Sequence, residues 1–367
     1  MTLDLTPDDD VPLAQPALGT VEQQRVMQVL ESGMLASGKE TARFEDEFAA
    51  YCDTDHGVAT SNGTTALHAA LHALGIGEGD RVVTTPLSFV ATANAIRLCG
   101  AQPVFVDVDP ATYALDADAV ERTVRETDDV AALVVVHLYG LPAEMDRLEE
   151  IAEEHDLALV EDAAQAHGAE FEGRRVGSIG DAGCFSFYPT KNMTTGEGGM
   201  IVTDQGDVAE RAARFINHGR QSSNEHVGVG HNFRLTDLAS AIGRVQLQKL
   251  PGFNARRREN AARLTEGLSG SSVEPPSEPA GRRHVYHQYT VRTTDREALQ
   301  SHLADHGISS GIYYPTPIHR QPAYADVDES FPVAEEATSE VLSLPVHPGV
   351  AERDCWRIVD AVEVFEP

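Results

Sequence analysis

Short, continuous apolar runs alternate with helical patterns along most of this chain. The run "ALVVVHLYG" is followed by the amphipathic stretch "EMDRLEEIAEEHD", and that stretch by the run "LALVED". Continuous Val, Leu and Ile runs separated by amphipathic helices are typical of a parallel sheet that helices cover on both faces. The pattern therefore predicts an α/β fold with a large, mostly parallel mixed sheet. In such sheets ligands bind at the carboxyl ends of the strands, so residues just after each run are the first candidates for function.

A stretch rich in Pro, Ser and Gly, "LSGSSVEPPSEPAG" at 268–281, interrupts this pattern. Strand-like and helical patterns mix beyond it, which indicates a small α+β unit. The 367 residues also exceed the size at which a single core usually stops growing. We therefore expect an N-terminal segment over 1–18, a large domain over 19–250 and a small C-terminal α+β domain over 251–367.

The charge balance excludes two classes of partner. Asp and Glu number 58 against 28 Lys and Arg, a formal net charge of -30. Nucleic acids and anionic membranes are bound through surface Lys and Arg, so neither is an expected partner. No apolar run reaches the roughly 20 residues that span a bilayer, and "MTLDLTPDDD" is acidic where a signal peptide is basic. The sequence predicts a cytoplasmic protein.

Neither the cysteines nor the histidines show metal-binding spacing. The four cysteines lie far apart and form no pair typical of a zinc site or a redox dithiol. The fifteen histidines show no ligand spacing on a recognisable helix. We therefore expect reduced cysteines and no catalytic metal.

Lysine is rare in this chain. Of the 28 basic residues only Lys39, Lys191 and Lys249 are lysines, and the other 25 are arginines. Together with the net charge, this favours a protein adapted to a salt-rich cytoplasm, where salt screens the self-repulsion of an acidic surface. An ordinary acidic protein is the alternative.

Lys191 lies in "FYPTKNMTTGEGGM", between a strand-like run and a glycine cluster. A neutral, buried lysine amine can attack a carbonyl and form a Schiff base, which arginine cannot do. A surface lysine is the alternative, but the rarity of lysine elsewhere favours a chemical role. Because the glycines follow the lysine and lack the spacing G-x-x-x-x-G-K-[ST], we exclude a nucleoside-triphosphate loop.

Asp162 ends the apolar run in "LALVEDAAQA". A carboxylate in this position needs a cation or a hydrogen-bond donor. One interpretation is a cap for the following helix. The other is a partner for the pyridine nitrogen of pyridoxal phosphate, which the carboxylate would keep protonated so that the ring accepts electrons. Gln165, three residues on, would then reach the ring hydroxyl.

Gly63 and Thr64 lie in "VATSNGTTALHAAL", where a strand turns into a helix. Free amides at a helix N-terminus bind anions such as phosphate, although an ordinary turn with a threonine cap explains the pattern equally well. Ser186 can add a hydroxyl to the same phosphate. Phe89, just after another strand, can stack on a cofactor ring, although a core phenylalanine is the more common case.

These segments together resemble the DegT-class sugar-nucleotide aminotransferases, pyridoxal-phosphate enzymes with the fold of aspartate aminotransferase (fold type I). The likeness extends over nearly the whole chain, and "EDAAQAHGA" together with "GDAGCFSFYPTKNMTTGEGGM" carries most of it. By resemblance, Lys191 and Asp162 are catalytic, and Lys191 binds the cofactor covalently. The cofactor contacts implied are Gly63, Thr64, Phe89, Asp162, Gln165, Ser186, Lys191 and Asn232.

The resemblance also implies a reaction and an assembly. The amino group of an amino acid, usually L-glutamate, moves to a keto group of a nucleotide-linked deoxyhexose, in aminosugar biosynthesis. Asn232 stands where the family has an asparagine that reaches the phosphate of the other subunit, so a homodimer with shared active sites is expected. Candidates for contacting the sugar or diphosphate are Arg220, Tyr313, Tyr314 and His319.

Two other functions remain as alternatives. Some members of this family dehydrate deoxysugars, and in one such group a histidine replaces the lysine that is present here as Lys191. A non-catalytic regulator that kept the fold would be expected to have lost Lys191, Asp162 or the phosphate loop. The sequence therefore favours the aminotransferase over both.

Overall fold

A seven-stranded sheet forms the centre of the protein in a computed structural model that describes residues 10–366. Its strand order is β1-β9-β8-β5-β4-β2-β3, and β9 alone runs against the other six. The predicted mostly parallel mixed sheet is confirmed. The strands of this sheet are β1 His56–Thr60, β2 Arg81–Thr84, β3 Gln102–Phe105, β4 Val130–Val136, β5 Ala158–Asp162, β8 Ala182–Ser186 and β9 Gly199–Thr203.

Smaller strands form three separate short sheets. They are β6 Glu170–Phe171, β7 Arg174–Arg175, β10 Arg220–Ser222, β11 Glu225–His226, β12 Arg282–Arg283, β13 Tyr289–Arg292 and β14 Val341–Leu344. The helices are α1 Thr20–Ser32, α2 Lys39–Tyr51, α3 Gly63–Ala73, α4 Ala91–Leu98, α5 Ala117–Glu126, α6 Met145–Glu154, α7 Gly206–Phe215, α8 Asp237–Gly267, α9 Arg296–Asp305, α10 Pro332–Glu340 and α11 Glu352–Glu363.

Helices cover both faces of the central sheet, which explains why its strands are apolar at consecutive positions. Val134 packs in a cluster with α3, α4 and α7, whereas its neighbours Leu133 and Val135 pack on the other face with α5 and α6. Successive side chains of a strand point to opposite faces, so a strand buried on both sides has no polar alternation. The apolar face predicted for α6 is buried: Met145, Leu148, Ile151 and Ala152.

The C-terminal part forms its own hydrophobic cluster around β13, β14, α9 and α11. Val11 from the N-terminal segment joins this cluster and pairs with Ile308. Helix α8 runs without interruption through position 250 and contributes Leu250 to a cluster of the large sheet and Leu264 to the C-terminal cluster. The domain bounds 1–18, 19–250 and 251–367 remain a prediction. None of the helices described over 10–366 is both long and apolar enough to cross a membrane.

Glu45 on α2 accepts a hydrogen bond from the backbone N–H of Ala59 at 2.9 Å, which caps the free edge of β1. Burial raises the pKa of this half-buried carboxyl from 4.5 to about 7, with the charge of Asp46 adding to the effect. Because the pKa is raised on folding, the group favours the folded state below pH 4.5, and this contribution is lost as the pH rises through 7.

We expect Glu45→Gln to stabilise the protein at pH 8 and to leave its stability nearly unchanged at pH 5. The glutamine keeps the acceptor for Ala59 and carries no charge. A shift from 4.5 to about 7 corresponds to about 3 kcal/mol at most, and screening of a half-buried group reduces this to roughly 1–2 kcal/mol. Urea unfolding at both pH values measures the difference. Equal midpoints of the two proteins at pH 8 would contradict the prediction.

Candidate active site

A cavity of about 700 Å³ lies at the carboxyl ends of the central strands. It is lined by residues from several separate parts of the sequence, including the C-terminal region. The residues predicted from the sequence that line it are Gly63, Thr64, Phe89, Asp162, Gln165, Ser186, Lys191, Tyr313 and Tyr314. The fold therefore brings together side chains that the sequence places as far apart as α3 and the segment before α10.

One end of the cavity is the N-terminus of α3. Asn62 caps this helix by accepting a hydrogen bond from the backbone N–H of Thr65 at 2.9 Å, so the cap is an asparagine and not a threonine. A Cβ atom on Gly63 would lie 2.8 Å from Cβ of Ser186, a distance that side chains do not tolerate. Glycine is thus required for the close approach of α3 to β8. The first amides of α3 and the Ser186 hydroxyl form a suitable cradle for an anion.

Asp162 lies at the end of β5 and is 5% exposed. Its carboxylate accepts hydrogen bonds from Thr92 Oγ1 at 2.8 Å and from the backbone N–H of Ala164 at 3.2 Å. Burial raises the pKa of Asp162, and these two donors together with the charge of Lys191 oppose the rise. A buried carboxylate with this surrounding is well placed to hold a protonated ring nitrogen.

Lys191 lies in the loop between β8 and β9, on the same cavity. Burial lowers the pKa of its amine from 10.5 to about 8, and the negative charge of Asp162 opposes this decrease. An amine with this pKa is partly neutral near pH 8 and can act as a nucleophile or as a base.

The pKa of Lys191 leads to a test on the cofactor-free protein. The reaction of Nζ with the aldehyde of pyridoxal phosphate should accelerate as the pH rises, with a midpoint near 8. Asp162→Asn removes the charge that raises this pKa, so the midpoint should move to lower pH. Stopped-flow absorbance between pH 6 and 10 measures both midpoints. A wild-type midpoint near the ordinary lysine value of 10.5 would contradict the prediction.

Gln165 has a defined amide orientation. Its Oε1 accepts a hydrogen bond from the backbone N–H of Tyr139 at 2.6 Å, and its Nε2 donates to the hydroxyl of Tyr314 at 3.1 Å. The amide therefore presents its NH₂ group to the cavity, where the second N–H can donate to an oxygen. Phe89 is 54% exposed and lies 5.8 Å from the ring of Tyr314, so the face of a large apolar side chain is open at the cavity.

Three predicted residues lie outside this cavity. Asn232 is exposed on the segment that follows α7. Arg220 is exposed on the β10–β11 hairpin. The His319 ring is fully buried, with Nε2 2.9 Å from Glu335 Oε1. Asn232 and Arg220 are therefore accessible at the surface. His319 instead contacts Glu335 on α10 and so fixes the segment before that helix.

Other cavity residues were not found from the sequence. Thr92, the donor to Asp162, lies in the first turn of α4. It follows Phe89 by three residues, and this helical spacing could have indicated that both side chains face the same cavity. No local signal identified Tyr188, Glu197, His287 or Gln288, which also line the cavity. Behind Asp162, the fully buried pair His137 and Glu161 is 2.9 Å apart.

The arrangement fits pyridoxal phosphate. A buried carboxylate, a half-buried amine of lowered pKa, an open aromatic face and an anion cradle lie around one cavity. The carboxylate suits the ring nitrogen of this cofactor, and the amine suits its aldehyde. The aromatic face suits the ring, and the cradle suits the phosphate. Within residues 10–366 no cluster of three or more His, Cys, Asp or Glu side chains is arranged to hold a metal ion.

Comparisons with known proteins agree with the geometry. Residues 16–363 match the DegT/DnrJ/EryC1/StrS aminotransferase family. A Streptomyces venezuelae protein named dTDP-3-amino-3,4,6-trideoxy-alpha-D-glucose transaminase is 40% identical over 96% of this chain and 94% of its own length. A Geobacillus stearothermophilus protein named pleiotropic regulatory protein is 41% identical over 93% of this chain and 94% of its own length.

A solved structure extends this likeness to three dimensions. The crystal structure of S. venezuelae DesV in complex with a ketimine intermediate superposes with a TM-score of 0.91 at 41% identity, over 93% of each chain. The expected fold type is confirmed by this match. The chain belongs to the DegT/DnrJ/EryC1/StrS aminotransferase family and is a pyridoxal-phosphate-dependent aminotransferase.

Proposed function

We propose that this enzyme transfers an amino group from L-glutamate to a keto group on a nucleotide-linked deoxyhexose. The observation that carries the proposal is the meeting of the buried Asp162 and the half-buried Lys191 in one cavity at the carboxyl ends of the sheet. The substrate class is supported by the S. venezuelae relative, which is named as a transaminase of a dTDP-linked aminosugar. Glutamate as the donor is a proposal from the family resemblance alone.

Pyridoxal phosphate, when bound, withdraws electrons from the carbon that loses or gains a proton during amino transfer. Asp162 supports this by holding a proton on the ring nitrogen through the negative charge of its carboxylate. Thr92 and the N–H of Ala164 fix the direction of that carboxylate. The NH₂ group of Gln165 would donate to the ring hydroxyl oxygen, and Phe89 would orient the ring by stacking.

Lys191 moves the proton. Its Nζ is the one basic nitrogen of a Lys or Arg side chain among the lining residues of the described cavity. With a pKa of about 8, the neutral amine would accept the proton from the carbon that bears the donor's amino group and give it to the cofactor carbon within the same half of the reaction, and it would move a proton in the reverse direction in the other half. Gly63, Thr64 and Ser186 would hold the phosphate, which would keep the cofactor within reach of the Lys191 amine.

The substrate side of the cavity is formed by Tyr313 and Tyr314. Their hydroxyls are proposed to bind sugar oxygens, and Arg220 is proposed to reach the diphosphate from an exposed hairpin. His319 was a further candidate from the sequence, but its buried contact with Glu335 supports a structural role.

Absorbance of the purified protein before and after addition of L-glutamate tests the proposal. We expect the long-wavelength band of the covalently bound cofactor to be lost as the amino group is transferred, and to return when a nucleotide-linked ketosugar is added. A band that glutamate leaves unchanged would reject the donor. A band that glutamate removes but no nucleotide-linked ketosugar restores would reject the acceptor.

We further propose a homodimer with shared active sites. Asn232 is exposed in this chain and stands in the motif whose asparagine reaches the other subunit's phosphate in the family. Asn232→Ala is therefore expected to weaken cofactor retention about ten- to a hundredfold, the effect of losing one hydrogen bond to a charged group. Dialysis followed by absorbance measures retention. A fully active monomer in light scattering would contradict the shared site.

Three further proposals come from the sequence. The chain works in the cytoplasm, its acidic composition suits a salt-rich interior, and its domains divide at 18 and 250. The first two are supported by the net charge of -30 and the three lysines. A melting temperature that rises from low to molar salt is the expected sign of salt adaptation.

A further inference from the structure

Two polar residues interrupt the buried stripe of α8. The stripe consists of positions spaced by four and three residues, which lie on one face of the helix: Leu250, Asn254, Arg257, Ala261 and Leu264. Leu250 belongs to a cluster of the large sheet and Leu264 to the C-terminal cluster, so the polar pair lies where the two clusters meet. Burial of polar groups costs free energy unless they are paired, so the partners of Asn254 and Arg257 indicate their function.

Asn254 joins two loops of the cavity of about 700 Å³ described above, which we call the catalytic cavity. Its Oδ1 accepts a hydrogen bond from Nδ2 of Asn192 at 2.9 Å, and its Nδ2 donates to the carbonyl of His167 at 2.7 Å. Asn192 directly follows Lys191, and His167 lies two residues after Gln165. The amide of Asn254 thus links the loop of the catalytic lysine to the segment of Gln165.

Asn192 also connects a third segment, because its Nδ2 donates to the carbonyl of Val285 at 3.1 Å. The three connected segments, 163–169, 187–198 and 284–288, contain no helix and no strand. Their backbone groups are therefore not held by the ladders of regular structure, and side chains have to supply the contacts. Each segment carries a residue that lines the catalytic cavity: Gln165, Lys191 and His287.

Arg257 holds the third of these segments. Its Nη1 donates to the carbonyls of Tyr286 at 3.0 Å and His287 at 3.2 Å. Tyr286 has a φ of 46°, in the left-handed region that a bulky side chain rarely adopts, so its backbone needs support from outside. His287 and Gln288, which follow it, line the catalytic cavity. Arg257 therefore fixes the backbone from which two cavity side chains project.

The charge of Arg257 does not stabilise the fold through an ion pair. The other buried arginine, Arg296, pairs with Glu297, whereas Arg257 forms no ion pair within residues 10–366. Burial lowers the pKa of Arg257 from 12.5 to about 10, because its cation leaves water without a carboxylate beside it. An apolar side chain of similar volume would cost less here. The carbonyls that Arg257 binds therefore explain an arginine at this position.

We propose that Asn254 and Arg257 are positioning residues of the catalytic cavity. Neither side chain is part of the lining of that cavity, and each acts through the segments it binds. Asn254 sets the loop of Lys191 relative to Gln165, and Arg257 sets the backbone at His287. The inference concerns the site of amino transfer itself, so it does not depend on the identity of the amino donor or of the ketosugar.

Hydrogen–deuterium exchange of the holoenzyme is the first test. Asn254→Ala should speed exchange in 163–169 and 187–198, because both segments lose a contact to α8. Arg257→Met should speed exchange in 284–288 and leave 187–198 as in the wild type. Unchanged exchange in the segments assigned to a variant would overturn the role of that residue.

Single-turnover kinetics with L-glutamate separate positioning from stability. Asn254→Ala should slow amino transfer by about 10–100-fold, since a shift of about 1 Å in a reacting group has an effect of this size. Asn260→Ala is the matched control on the same helix. Nδ2 of this buried asparagine donates to three carbonyls, and their residues do not line the catalytic cavity: Val346, His347 and Val350.

Asn260→Ala should lower the urea midpoint of unfolding as Asn254→Ala does, because buried carbonyls lose their donor in both variants. It should nevertheless keep the wild-type rate of amino transfer. Equal slowing in the two variants would mean that the rate follows stability, and this result would overturn the inference.

Asn192→Ala removes the same hydrogen bond from the side of the lysine loop, so it provides the answer if Asn254→Ala does not fold. It should also slow the single turnover. Because the two asparagines act through one contact, the double variant should be slowed by less than the product of the two single effects. A loss equal to that product would exclude this contact as the positioning element.

The inference and the proposed function fail differently. The exchange measurements need no amino donor, so they decide the roles of Asn254 and Arg257 even if L-glutamate leaves the cofactor band of the wild type unchanged. If L-glutamate converts that band and Asn254→Ala reacts at the wild-type rate, only the positioning role has been assigned wrongly.

Discussion

Lys191→Ala is expected to abolish both the band of the covalently bound cofactor and turnover. Without Nζ no bond to the cofactor aldehyde forms, and the described cavity holds no other Lys or Arg nitrogen in its lining. Because proton transfer by a positioned base alone contributes up to about 10⁴-fold, we expect a loss of roughly 10⁴-fold or more. Absorbance spectra and single-turnover kinetics measure the two effects separately.

Lys249→Ala is the control for this variant, since it removes another of the three lysines far from the cavity chemistry. It should keep the band and the rate of the first half of the reaction. Turnover that survives in Lys191→Ala without the covalent band would exclude Lys191 as the catalytic base. Far-UV circular dichroism establishes that both variants are folded.

Asp162→Asn is expected to leave the protein folded and to slow amino transfer by about 10²–10³-fold, the usual effect of removing one electrostatic contact to the reacting group. The amide keeps the shape of the side chain: its oxygen can still accept from the N–H of Ala164, and its NH₂ group can donate to the Thr92 hydroxyl, which turns to accept. It has no charge to keep the ring nitrogen protonated. Single-turnover rates with L-glutamate, together with the cofactor spectrum, measure the loss.

Asp116→Asn provides the matched control, because Asp116 is a helix cap. Its carboxylate accepts from the N–H of Ala119 at 2.9 Å at the start of α5, and asparagine caps helices equally well. Near-normal rates in both variants would mean that Asp162 serves only to hold the turn at Ala164; the helix cap expected from the sequence is not found, because β5 is followed by turns. A slow Asp162→Asn beside a normal Asp116→Asn supports the role in catalysis.

Several features of the site could be predicted because each depends on a short stretch of sequence. The apolar run before Asp162 forms β5, and the turn at Gly63 starts α3, as the local patterns indicated. Parallel strands end at the same edge of a sheet, so Asp162 and the start of α3 had to lie near one another. The rarity of lysine identified Lys191 without any knowledge of its surroundings.

Contacts between distant segments could not be predicted in the same way. Thr92 reaches Asp162 from 70 residues away, and Gln165 and Tyr314 meet from 149 residues away. His319 was a candidate because of its neighbours in sequence, yet its ring is buried against Glu335. No local pattern encodes such pairs, since each depends on how two helices or loops pack.

The sequence by itself determined the class of sheet and indicated Lys191 and Asp162 as candidates, because hydrophobic period and residue rarity act locally or as totals. The tertiary structure decided the pKa values, the orientation of the Gln165 amide and the charge available in the cavity. These properties depend on burial and on the distance between groups, and both exist only once the chain has folded.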